Sequence, residues 1–512
     1  MTSPSTAPPL PAHTRVLVVG AGFAGLGTAI RLDEAGHGDF LVVDQGDTVG
    51  GTWRDNTYPG AACDVPSQLY SFSFAPNPHW SRSFSPQPEI QTYLEDVARR
   101  SGVLDRFRFG VTVQDTAWDE DDQRWTVVTS AGTVTADVLV MGAGGLSEPR
   151  LPEIRGIDDF TGDIFHSARW NHDADLSGKR VAVIGTGASS IQIVPEVARQ
   201  VAHLDVYQRT APWVMPRHDR EYGAVERFLL RHVPGLQRLY RTAIYWGREC
   251  YVPGFTLNPK LALPAKRLAL RNIETGIRDP GLRRAVTPDF EIGCKRILIS
   301  NTYYPALDSA HVDLVTDRIS EITATGIVTD DGTVREVDAI IVATGFHTTD
   351  QPIAHHVKGR DGCTLADAWR ETGQAAYKGT TVSGFPNLFQ IVGPNTGLGH
   401  SSMVFVIESQ IAYILSALQK MSEQGILAVE PRAEAQQAWN DDLQRRLRRT
   451  VWSTGGCASW YLDEHGRNTT LWPRTTFAFR NLLRDFDLEE YVAVPSALPS
   501  ALPSADAEEN VA

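Results

Sequence analysis

The chain has 512 residues, of which 42% are hydrophobic and 21% are charged, and its formal net charge is −13. This length and balance predict an ordinary globular protein of two to four domains. The excess of acidic residues excludes a nucleic-acid partner, because no basic face is expected to outweigh it.

No targeting or membrane-spanning segment is predicted. The N-terminal stretch MTSPSTAPPLPAHTR lacks the basic region and apolar core of a signal peptide. The apolar run VLVVGAGFAGLGTAI is too short and too rich in glycine to cross a bilayer. Residues 1–9 and 496–512 are rich in Ala, Pro and Ser, and we expect both tails to be disordered.

The cysteines are five in number, widely scattered, and include no CxxC pair. This pattern predicts no disulfide framework, no zinc or other metal site, and no redox dithiol. We therefore expect a reducing, cytoplasmic location. The five are Cys63, Cys250, Cys294, Cys363 and Cys457.

The first motif is the segment RVLVVGAGFAGLGTAIRLDEAGHGDFLVVDQ. A buried strand at Val16–Val19 enters the loop Gly20-x-Gly22-x-x-Gly25, and a helical pattern continues to Glu34. The three glycines allow a tight turn, a close approach of the backbone to a pyrophosphate, and close packing of helix on strand. The free N–H groups at the helix start then face the phosphates. Together, these features predict a dinucleotide site.

A second motif, RVAVIGTGASSIQIVPEVARQVAHLDVYQRT, repeats the arrangement. Its strand enters Gly185-x-Gly187-x-x-Ser190, where Ser190 replaces the third glycine with another small residue. Ser189 and Ser190 open the predicted helix beside the nucleotide phosphates. We therefore expect a second dinucleotide site on the same chain.

The two motifs differ in the charge that follows the second strand of each unit. Asp44 lies 24 positions after Gly20, and Arg209 lies 24 positions after Gly185. A carboxylate at this place accepts hydrogen bonds from free ribose hydroxyls, whereas an arginine binds a 2′-phosphate. The first unit is therefore predicted to bind a nucleotide of the FAD or NAD type and the second to bind NADPH. Two dinucleotides on one chain indicate a flavoprotein that binds FAD and is reduced by NADPH, with the chemistry supplied by the cofactors.

Between the two units, the stretch FTGDIFHSARW fits the pattern F-x-G-x-x-x-H-x-x-x-W. Its fixed places are taken by Phe160, Gly162, His166 and Trp170. This stretch resembles the fingerprint of the type I Baeyer–Villiger monooxygenases, flavoenzymes that convert ketones into esters or lactones. In that family the linker lies where the two nucleotide domains meet. The resemblance implies that His166 is a positioning residue rather than a general base.

The resemblance extends along nearly the whole chain between the tails. The segment GGTWRDNTYPGAACDVPS resembles the family segment that wraps the flavin, which assigns Gly51, Thr52 and Trp53 to FAD binding. Trp53 and Tyr58 either line the flavin or substrate cavity or pack in the core. The segment NLFQIVGPNTGLGHSS resembles the late strand and loop of the FAD domain. Ser401 or Ser402 there can cap a helix whose start stabilises an anionic reduced flavin.

The resemblance also implies the reaction and its catalytic residues. NADPH reduces FAD, the reduced flavin and O2 form a C4a-peroxyflavin, and its anion attacks a ketone carbonyl. The segment GCKRILIS assigns Arg296 to the reacting oxygens and Lys295 to the 2′-phosphate, beside Arg209. Asp64 is expected to pair with Arg296 and to contact the nicotinamide. Lys295 and Arg296 point to opposite faces if their segment is extended.

These observations predict an α/β fold with two Rossmann-like dinucleotide-binding domains. The FAD domain is placed at residues 10–149 and 346–495, and the NADPH domain, inserted into it, at 150–213 and 294–345. Residues 214–293 read as a helical insertion whose apolar stripes are predicted to be packing faces of a lid or cap, with a membrane-surface helix as the less favoured alternative. The substrate cavity is expected where these parts meet.

Other functions remain open at this stage. Asn171 follows Trp170 where the family usually has Pro or Asp, a departure that points toward a related flavin monooxygenase acting on sulfur or nitrogen, whereas Trp170 points toward the Baeyer–Villiger family. A two-nucleotide reductase that passes electrons to a disulfide is disfavoured because CxxC is absent. A catalytically dead flavin-binding protein is disfavoured because Asp64, Lys295, Arg296 and Arg209 are all present.

Overall fold

A computed structural model describes residues 9–496, which form a mixed eight-stranded β-sheet, a parallel five-stranded β-sheet and three smaller sheets, together with the helices given below. The β-strands are β1 His13–Val19, β2 Phe40–Asp44, β3 Phe107–Phe109, β4 Val113–Asp119, β5 Arg124–Thr129, β6 Gly132–Met141, β7 Asp163–His166, β8 Arg180–Ile184, β9 His203–Tyr207, β10 Val214–Met215, β11 Leu298–Ile299, β12 Val312–Val315, β13 Ile319–Thr323, β14 Gly326–Thr329, β15 Val334–Glu336, β16 Ala339–Val342, β17 Val357–Lys358, β18 Leu388–Gln390, β19 Ile426–Pro431 and β20 Tyr491–Pro495.

The α-helices are α1 Phe23–Glu34, α2 Thr52–Asp55, α3 Gln87–Ser101, α4 Ser190–Val197, α5 Ala224–His232, α6 Leu236–Glu249, α7 Val252–Thr256, α8 Leu263–Gly276, α9 Pro280–Ala285, α10 Tyr303–Leu307, α11 Leu365–Trp369, α12 Met403–Gln424, α13 Ala433–Leu447, α14 Val451–Thr454 and α15 Thr476–Leu482. Short 3-10 helices occupy Val103–Arg106, Ile157–Asp159, Ser167–Arg169, Pro259–Ala262, Pro352–His356, Arg360–Gly362 and Leu488–Glu490. None of these helices has the length and apolar character that crossing a bilayer requires.

The first sheet is built around β1, whose apolar residues from Val16 to Val19 are all buried. Its strand order is β17-β4-β5-β6-β1-β2-β3, and β18 also pairs with β6. β1 runs parallel to both β2 and β6. Residues buried on both faces give the continuous apolar runs that are typical of parallel sheets.

The second sheet, in the order β12-β9-β8-β16-β7, is entirely parallel. Its strands all lie between residues 163 and 342, whereas β17 and β18 return to the first sheet later in the chain. The predicted fold class is therefore confirmed: a second Rossmann-like unit is inserted into the first.

The chain passes between the two units at a pair of adjacent segments. Pro149 forms a β-bridge with Phe346, and the Arg150 N–H donates to the Gly345 carbonyl oxygen over 2.9 Å. The sequence placed the domain limits at this crossing, and those limits stay a prediction. The predicted disordered tails lie outside the described residues, apart from Pro9 and Ser496. The N–H of Ser496 donates to the Gly425 carbonyl oxygen.

The helical insertion carries α5 to α9, but its apolar stripes, predicted mainly as packing faces, are largely uncovered on α5 and partly uncovered on α6. α5 buries only Leu230, and it leaves Val225 and Phe228 73% and 60% exposed. α6 likewise leaves Leu239 and Trp246 mostly exposed. An apolar stripe indicates a helix but does not indicate how much of the stripe the rest of the chain covers.

A disulfide bond joins Cys294 to Cys457, which lie 163 positions apart in the chain. The sequence analysis predicted no disulfide framework, and for this pair the prediction was wrong. Neither cysteine has a neighbouring cysteine in sequence, so the spacing contains no sign of their pairing. Cys63, Cys250 and Cys363 are free thiols.

Candidate active site

The first glycine loop has the tight geometry that its motif predicts. Gly20 has a φ of +102°, and a Cβ atom there would lie 2.5 Å from the Gly142 carbonyl oxygen. A Cβ atom on Gly25 would lie 1.7 Å from the Gly20 carbonyl oxygen, so only glycine fits. Gly22 caps α1, whose first turn contains no acidic residue. The N–H groups of this turn thus form a site suited to phosphate groups.

Asp44 organises the same loop with both of its carboxylate oxygens. Oδ2 accepts a hydrogen bond from the Ala21 N–H over 2.6 Å, and Oδ1 accepts one from the Gly46 N–H over 2.7 Å. Arg54 Nη1 also donates to Oδ1, over 2.8 Å. Arg54 was not predicted from the sequence. Asp44 therefore sets the loop geometry as well as standing where a ribose is expected.

The segment after β2 packs directly on this glycine loop. The Gly50 N–H donates to the Ala21 carbonyl oxygen over 2.9 Å. Gly51 has a φ of +53°, and a Cβ atom there would lie 3.0 Å from the Gly22 Cα atom. Thr52 then opens α2, and the Trp53 indole N–H donates to the Tyr70 hydroxyl over 3.0 Å.

The second glycine loop combines one tight position with one open position. Gly185 has a φ of +115°, and a Cβ atom there would lie 2.5 Å from the Ala343 carbonyl oxygen. At Gly187, a Cβ atom would meet no protein atom within 4 Å. Ser190 is fully buried at the start of α4, and Ser189 precedes it as the cap residue. The open space at Gly187 is where the motif predicts that a pyrophosphate approaches the backbone.

Arg209 and Lys295 form a pair of unneutralised cations beside this loop. Burial and the charge of Arg209 both lower the pKa of Lys295. The Lys295 ammonium lies 5.2 Å from the centre of the Phe290 ring. Among residues 9–496, no carboxylate lies within 4.0 Å of the Arg209 or Lys295 cation. The charge of Asp289 acts on Lys295 in the opposite direction but makes no ion pair with it within 4.0 Å. Two neighbouring cations without a paired carboxylate are suited to an external phosphate.

Arg296 and Asp64 form a bidentate ion pair. Arg296 Nε lies 2.8 Å from Asp64 Oδ2, and Nη2 lies 2.7 Å from Oδ1 and 2.6 Å from Oδ2. The charge of Asp64 raises the pKa of Arg296 despite its burial. Burial is the largest influence on Asp64 and opposes its ionisation, but the charge and hydrogen bonds of Arg296, together with the charge of Arg248, lower the pKa of Asp64 overall. Both groups are thus held charged in a half-buried cleft.

Lys295 and Arg296 do not lie in a strand, contrary to the extended segment assumed for them. They occupy a bend that ends before β11 begins at Leu298. The bend still directs the two side chains to different places, because Lys295 lies over Phe290 and Arg296 reaches Asp64. The geometry therefore allows the predicted division, in which Lys295 contacts a phosphate group and Arg296 contacts the reacting atoms.

One fingerprint residue, His166, lies at the junction between the two units. His166, at the end of β7, is buried and packs edge-on against Phe346, with ring centres 5.6 Å apart. Burial lowers the pKa of His166, against a hydrogen bond with the Gly345 backbone. Its Nδ1 accepts from the Ala168 N–H over 3.1 Å, which fixes the ring. His166 therefore touches the segment by which the chain returns to the first sheet.

The other three fingerprint residues pack within the second unit. A Cβ atom on Gly162 would lie 2.4 Å from the Asp338 carbonyl oxygen. Phe160 is buried in the core of the second unit, and Trp170 packs edge-on against Phe165 with ring centres 5.0 Å apart. These three residues thus pack around the strand that carries His166 rather than contacting the first unit.

The start of α12 is capped as predicted. Ser402 is the cap residue, and its hydroxyl accepts a hydrogen bond from the Val404 N–H over 3.3 Å. The preceding loop holds Val392 at a φ of +61°, a conformation that β-branched residues rarely adopt. The Val392 N–H donates to the buried side chain of Gln410 on α12, over 2.9 Å. No sequence signal singled out Gln410 or this strained position.

A glutamine on α4 bridges the two units next to Asp64. Gln192 Oε1 accepts from the Tyr58 hydroxyl over 3.0 Å, and Gln192 Nε2 donates to the Ala62 carbonyl oxygen over 3.0 Å. A second unpredicted residue, Arg217, donates to the Phe84 carbonyl oxygen over 3.2 Å beside the same segment. Sequence reasoning missed both residues because glutamine and arginine are common on helices and loops.

Comparison with known proteins assigns the family. Residues 17–228 match the family model of the pyridine nucleotide-disulphide oxidoreductases. A Baeyer–Villiger monooxygenase of Streptomyces coelicolor is 52% identical over 481 residues, which cover 94% of this chain and 92% of that protein. One of Pseudomonas aeruginosa is 51% identical over 94% of this chain and 91% of its own length. The chain belongs to the Baeyer–Villiger monooxygenase family.

Solved structures agree with this assignment. An oxidised steroid monooxygenase bound to NADP superposes with a TM-score of 0.84 at 31% identity, over 95% of this chain and all of the other. The complex of OTEMO with FAD and NADP superposes with a TM-score of 0.85 at 27% identity, over 94% and 99% of the two chains. The predicted family, enzyme class and pair of cofactors are confirmed.

The open position at Gly187 leads to a test of the second loop. Gly187→Ala is expected to leave the melting temperature and the FAD content unchanged, because the added methyl group meets no protein atom within 4 Å. The KM for NADPH is expected to rise by about tenfold, since the methyl group crowds the pyrophosphate. Steady-state kinetics with NADPH measure this rise. A variant with a wild-type KM would show that the nucleotide lies elsewhere.

Proposed function

We propose that this Baeyer–Villiger family member inserts one oxygen atom of O2 beside the carbonyl of a small-molecule ketone, giving an ester or lactone. The observation that carries the proposal is the Arg296–Asp64 pair, which lies beside two dinucleotide loops. FAD, reduced by NADPH, supplies the activated dioxygen when it is bound. The chain positions the cofactors and the substrate, provides fixed charges beside the reacting atoms and excludes water.

The residues of the first loop fit FAD, and we propose Gly20, Gly22, Gly25 and the neighbouring segment as its site. The start of α1 offers free N–H groups without a nearby acidic side chain. Gly51, Thr52 and Trp53 pack against this loop and extend the same surface. Asp44 accepts hydrogen bonds where a ribose is expected.

The residues of the second loop fit NADPH. Gly185 and Gly187 form the loop before α4, Ser189 and Ser190 form its start, and the neighbouring cations Arg209 and Lys295 are proposed to contact the same nucleotide. A 2′-phosphate would neutralise these cations, which have no carboxylate partner within the described residues. We therefore propose that the two cations distinguish NADPH from NADH.

Arg296 is proposed to stabilise the negative charge that develops on the reacting oxygen atoms. Its guanidinium stays protonated over the whole physiological pH range and donates in a planar fork. Asp64 holds that fork by two parallel hydrogen bonds. His166 does not donate or accept a proton in the reaction, because its buried ring faces Phe346 at the junction.

A screen with ketones tests the proposed reaction. The purified yellow protein is expected to consume NADPH and O2 with at least one member of a set of cyclic, linear, aromatic and steroid ketones. The product is expected to gain one oxygen atom, as measured by mass spectrometry. A thioether assayed in parallel tests the alternative, because oxidation of sulfur without any ketone product would favour a heteroatom monooxygenase.

Arg209→Ala is expected to raise the KM for NADPH by about tenfold or more, because a charge-assisted contact with phosphate is lost. The KM for NADH is expected to change little. Steady-state kinetics with both nucleotides measure the ratio. Arg199→Ala, which removes an exposed arginine paired with Glu196, serves as the control. An unchanged preference in Arg209→Ala would place the 2′-phosphate elsewhere.

The cytoplasmic location stays a prediction. It rested on the absence of a cysteine pattern, and the Cys294–Cys457 disulfide now argues against it. Disulfides are rare in reducing compartments. Counting the free thiols of the protein as it is isolated from its own cells would decide between a reducing and an oxidising location.

A further inference from the structure

The end of α6 carries two consecutive charged residues, Arg248 and Glu249, that the sequence analysis did not single out. Successive residues on an α-helix point about 100° apart around the axis. Two neighbours in sequence can therefore contact two different parts of the molecule. Here they contact the segment of Asp64 and the segment that precedes α12.

Arg248 lies against the backbone of the proposed catalytic aspartate. Its Nη2 donates a hydrogen bond to the Asp64 carbonyl oxygen over 3.1 Å. Within residues 9–496, no carboxylate lies within 4.0 Å of its guanidinium. Burial lowers the pKa of Arg248, and the charge of Asp64 is the largest influence that opposes this shift. Arg248 is therefore a second cation that acts on Asp64, in addition to Arg296.

Glu249 fixes the end of the helix that carries Arg248. Its buried carboxylate accepts hydrogen bonds from the N–H of Thr476 over 3.1 Å and from the Thr476 hydroxyl. His400 Nε2 lies 3.2 Å from the same carboxylate. His400 precedes Ser402, which caps α12. The helical insertion is thus attached to the C-terminal part of the chain one residue after Arg248.

We propose that Arg248 is a positioning residue for the oxygenation reaction: it holds Asp64 and, through Asp64, the guanidinium of Arg296. The proposal rests on the proposed function, because it assumes that Arg296 and Asp64 act on the reacting atoms. Arg248 does not touch those atoms itself. Its contribution is to restrict where the Asp64 carboxylate lies and to favour its ionised form.

The other groups around Asp64 do not supply this charge at neutral pH. Burial raises the pKa of the thiol of Cys63 and of the Tyr58, Tyr70 and Tyr461 hydroxyls, so these four are neutral. The remaining charged neighbours are the arginines Arg217, Arg248 and Arg296. Of these, Arg296 and Arg248 both lower the pKa of Asp64. Removing Arg248 therefore raises the pKa of Asp64.

The experiment compares Arg248→Met and Arg248→Lys with a matched control on the same helix. Arg241 also donates from α6 to backbone oxygens, those of Gln68 and Leu69, over 3.1 and 3.2 Å. Arg241→Met therefore removes a similar contact away from Asp64. Each holoenzyme is measured for FAD content, the rate of flavin reduction by NADPH, product formed per NADPH oxidised, and pH dependence with an accepted ketone.

We expect Arg248→Met to reduce its flavin at close to the wild-type rate. Its yield of product per NADPH is expected to fall by about tenfold, because a hydrogen bond from a charged donor is lost. The loss of activity at acidic pH is expected to begin at a higher pH, since Asp64 becomes easier to protonate. Arg248→Lys is expected to recover part of the yield, and Arg241→Met to keep both the yield and the pH profile.

Two results would overturn the proposal. One is a wild-type yield and an unshifted acidic limb in Arg248→Met. The other is an equal loss in Arg241→Met, which would assign the effect to packing of α6 alone. Failure of the wild-type enzyme to oxygenate any ketone contradicts the proposed function instead, so the two failures are distinguishable.

Discussion

Arg296→Ala is expected to keep flavin reduction by NADPH and to lose ester formation by roughly 10²- to 10³-fold. The variant removes the planar cationic fork that the Asp64 carboxylate holds. Negative charge on the reacting oxygens is then left without a fixed cation in a half-buried cleft. Stopped-flow absorbance measures the reduction, and product analysis measures the ester.

Two further variants show whether the loss of ester formation results from removing the planar guanidinium of Arg296. Arg296→Lys keeps a positive charge but cannot form two parallel hydrogen bonds with Asp64, so it is expected to recover only a small part of the activity. Arg278→Ala removes an exposed arginine bound to Asp308 over 2.6 Å and is expected to behave like the wild type. Normal ester formation by Arg296→Ala would contradict the catalytic assignment.

The local parts of the fold could be predicted from the sequence because their signals are local. The run Val16–Val19 followed by Gly20 requires a buried strand and a tight turn, and both are present. The second loop at Gly185 obeys the same rule. The matched offsets of Asp44 and Arg209 also follow from local geometry, since each residue ends or follows the second strand of its unit.

The long-range contacts of the site could not be derived from such patterns. Asp64 and Arg296 are 232 positions apart in the chain, and among the sequence signals only the family resemblance predicted that they pair. Arg248 lies on a helix rich in arginine, where nothing distinguishes it from its exposed neighbours until the fold places it against Asp64. Spacing along a chain carries no information about which distant segments meet.

The helical insertion shows a similar limit, because the sequence does not indicate how much of its apolar surface is covered. Its apolar stripes predicted helices correctly, yet Val225 and Leu239 stay mostly exposed. The stripe of α6 contributes to the site through its last turn rather than through its apolar face. The polar residues at a helix end can thus matter more for a site than the periodic residues that reveal the helix.

Cys457→Ser is expected to lower the stability of the folded protein by about 2–5 kcal/mol. The bond to Cys294 closes a loop of 163 positions, so it restricts the unfolded chain strongly. Without the bond, the two segments keep only contacts such as the hydrogen bond from the Glu291 N–H to the Gly455 carbonyl oxygen, at 2.9 Å. Thermal unfolding at one fixed scan rate, without reductant, measures a melting temperature lower by several degrees.

Reduction of the wild-type protein should reproduce this loss, because a thiol reductant opens the same loop. Cys363→Ser removes an exposed free cysteine and is expected to melt like the wild type, with the same response to reductant. Cys457→Ser should itself be insensitive to reductant. A wild-type protein that melts at one temperature with and without reductant would show that the bond is absent. The segment before Lys295 would then be held in place by packing around Cys294 and by backbone hydrogen bonds such as that from Glu291 to Gly455.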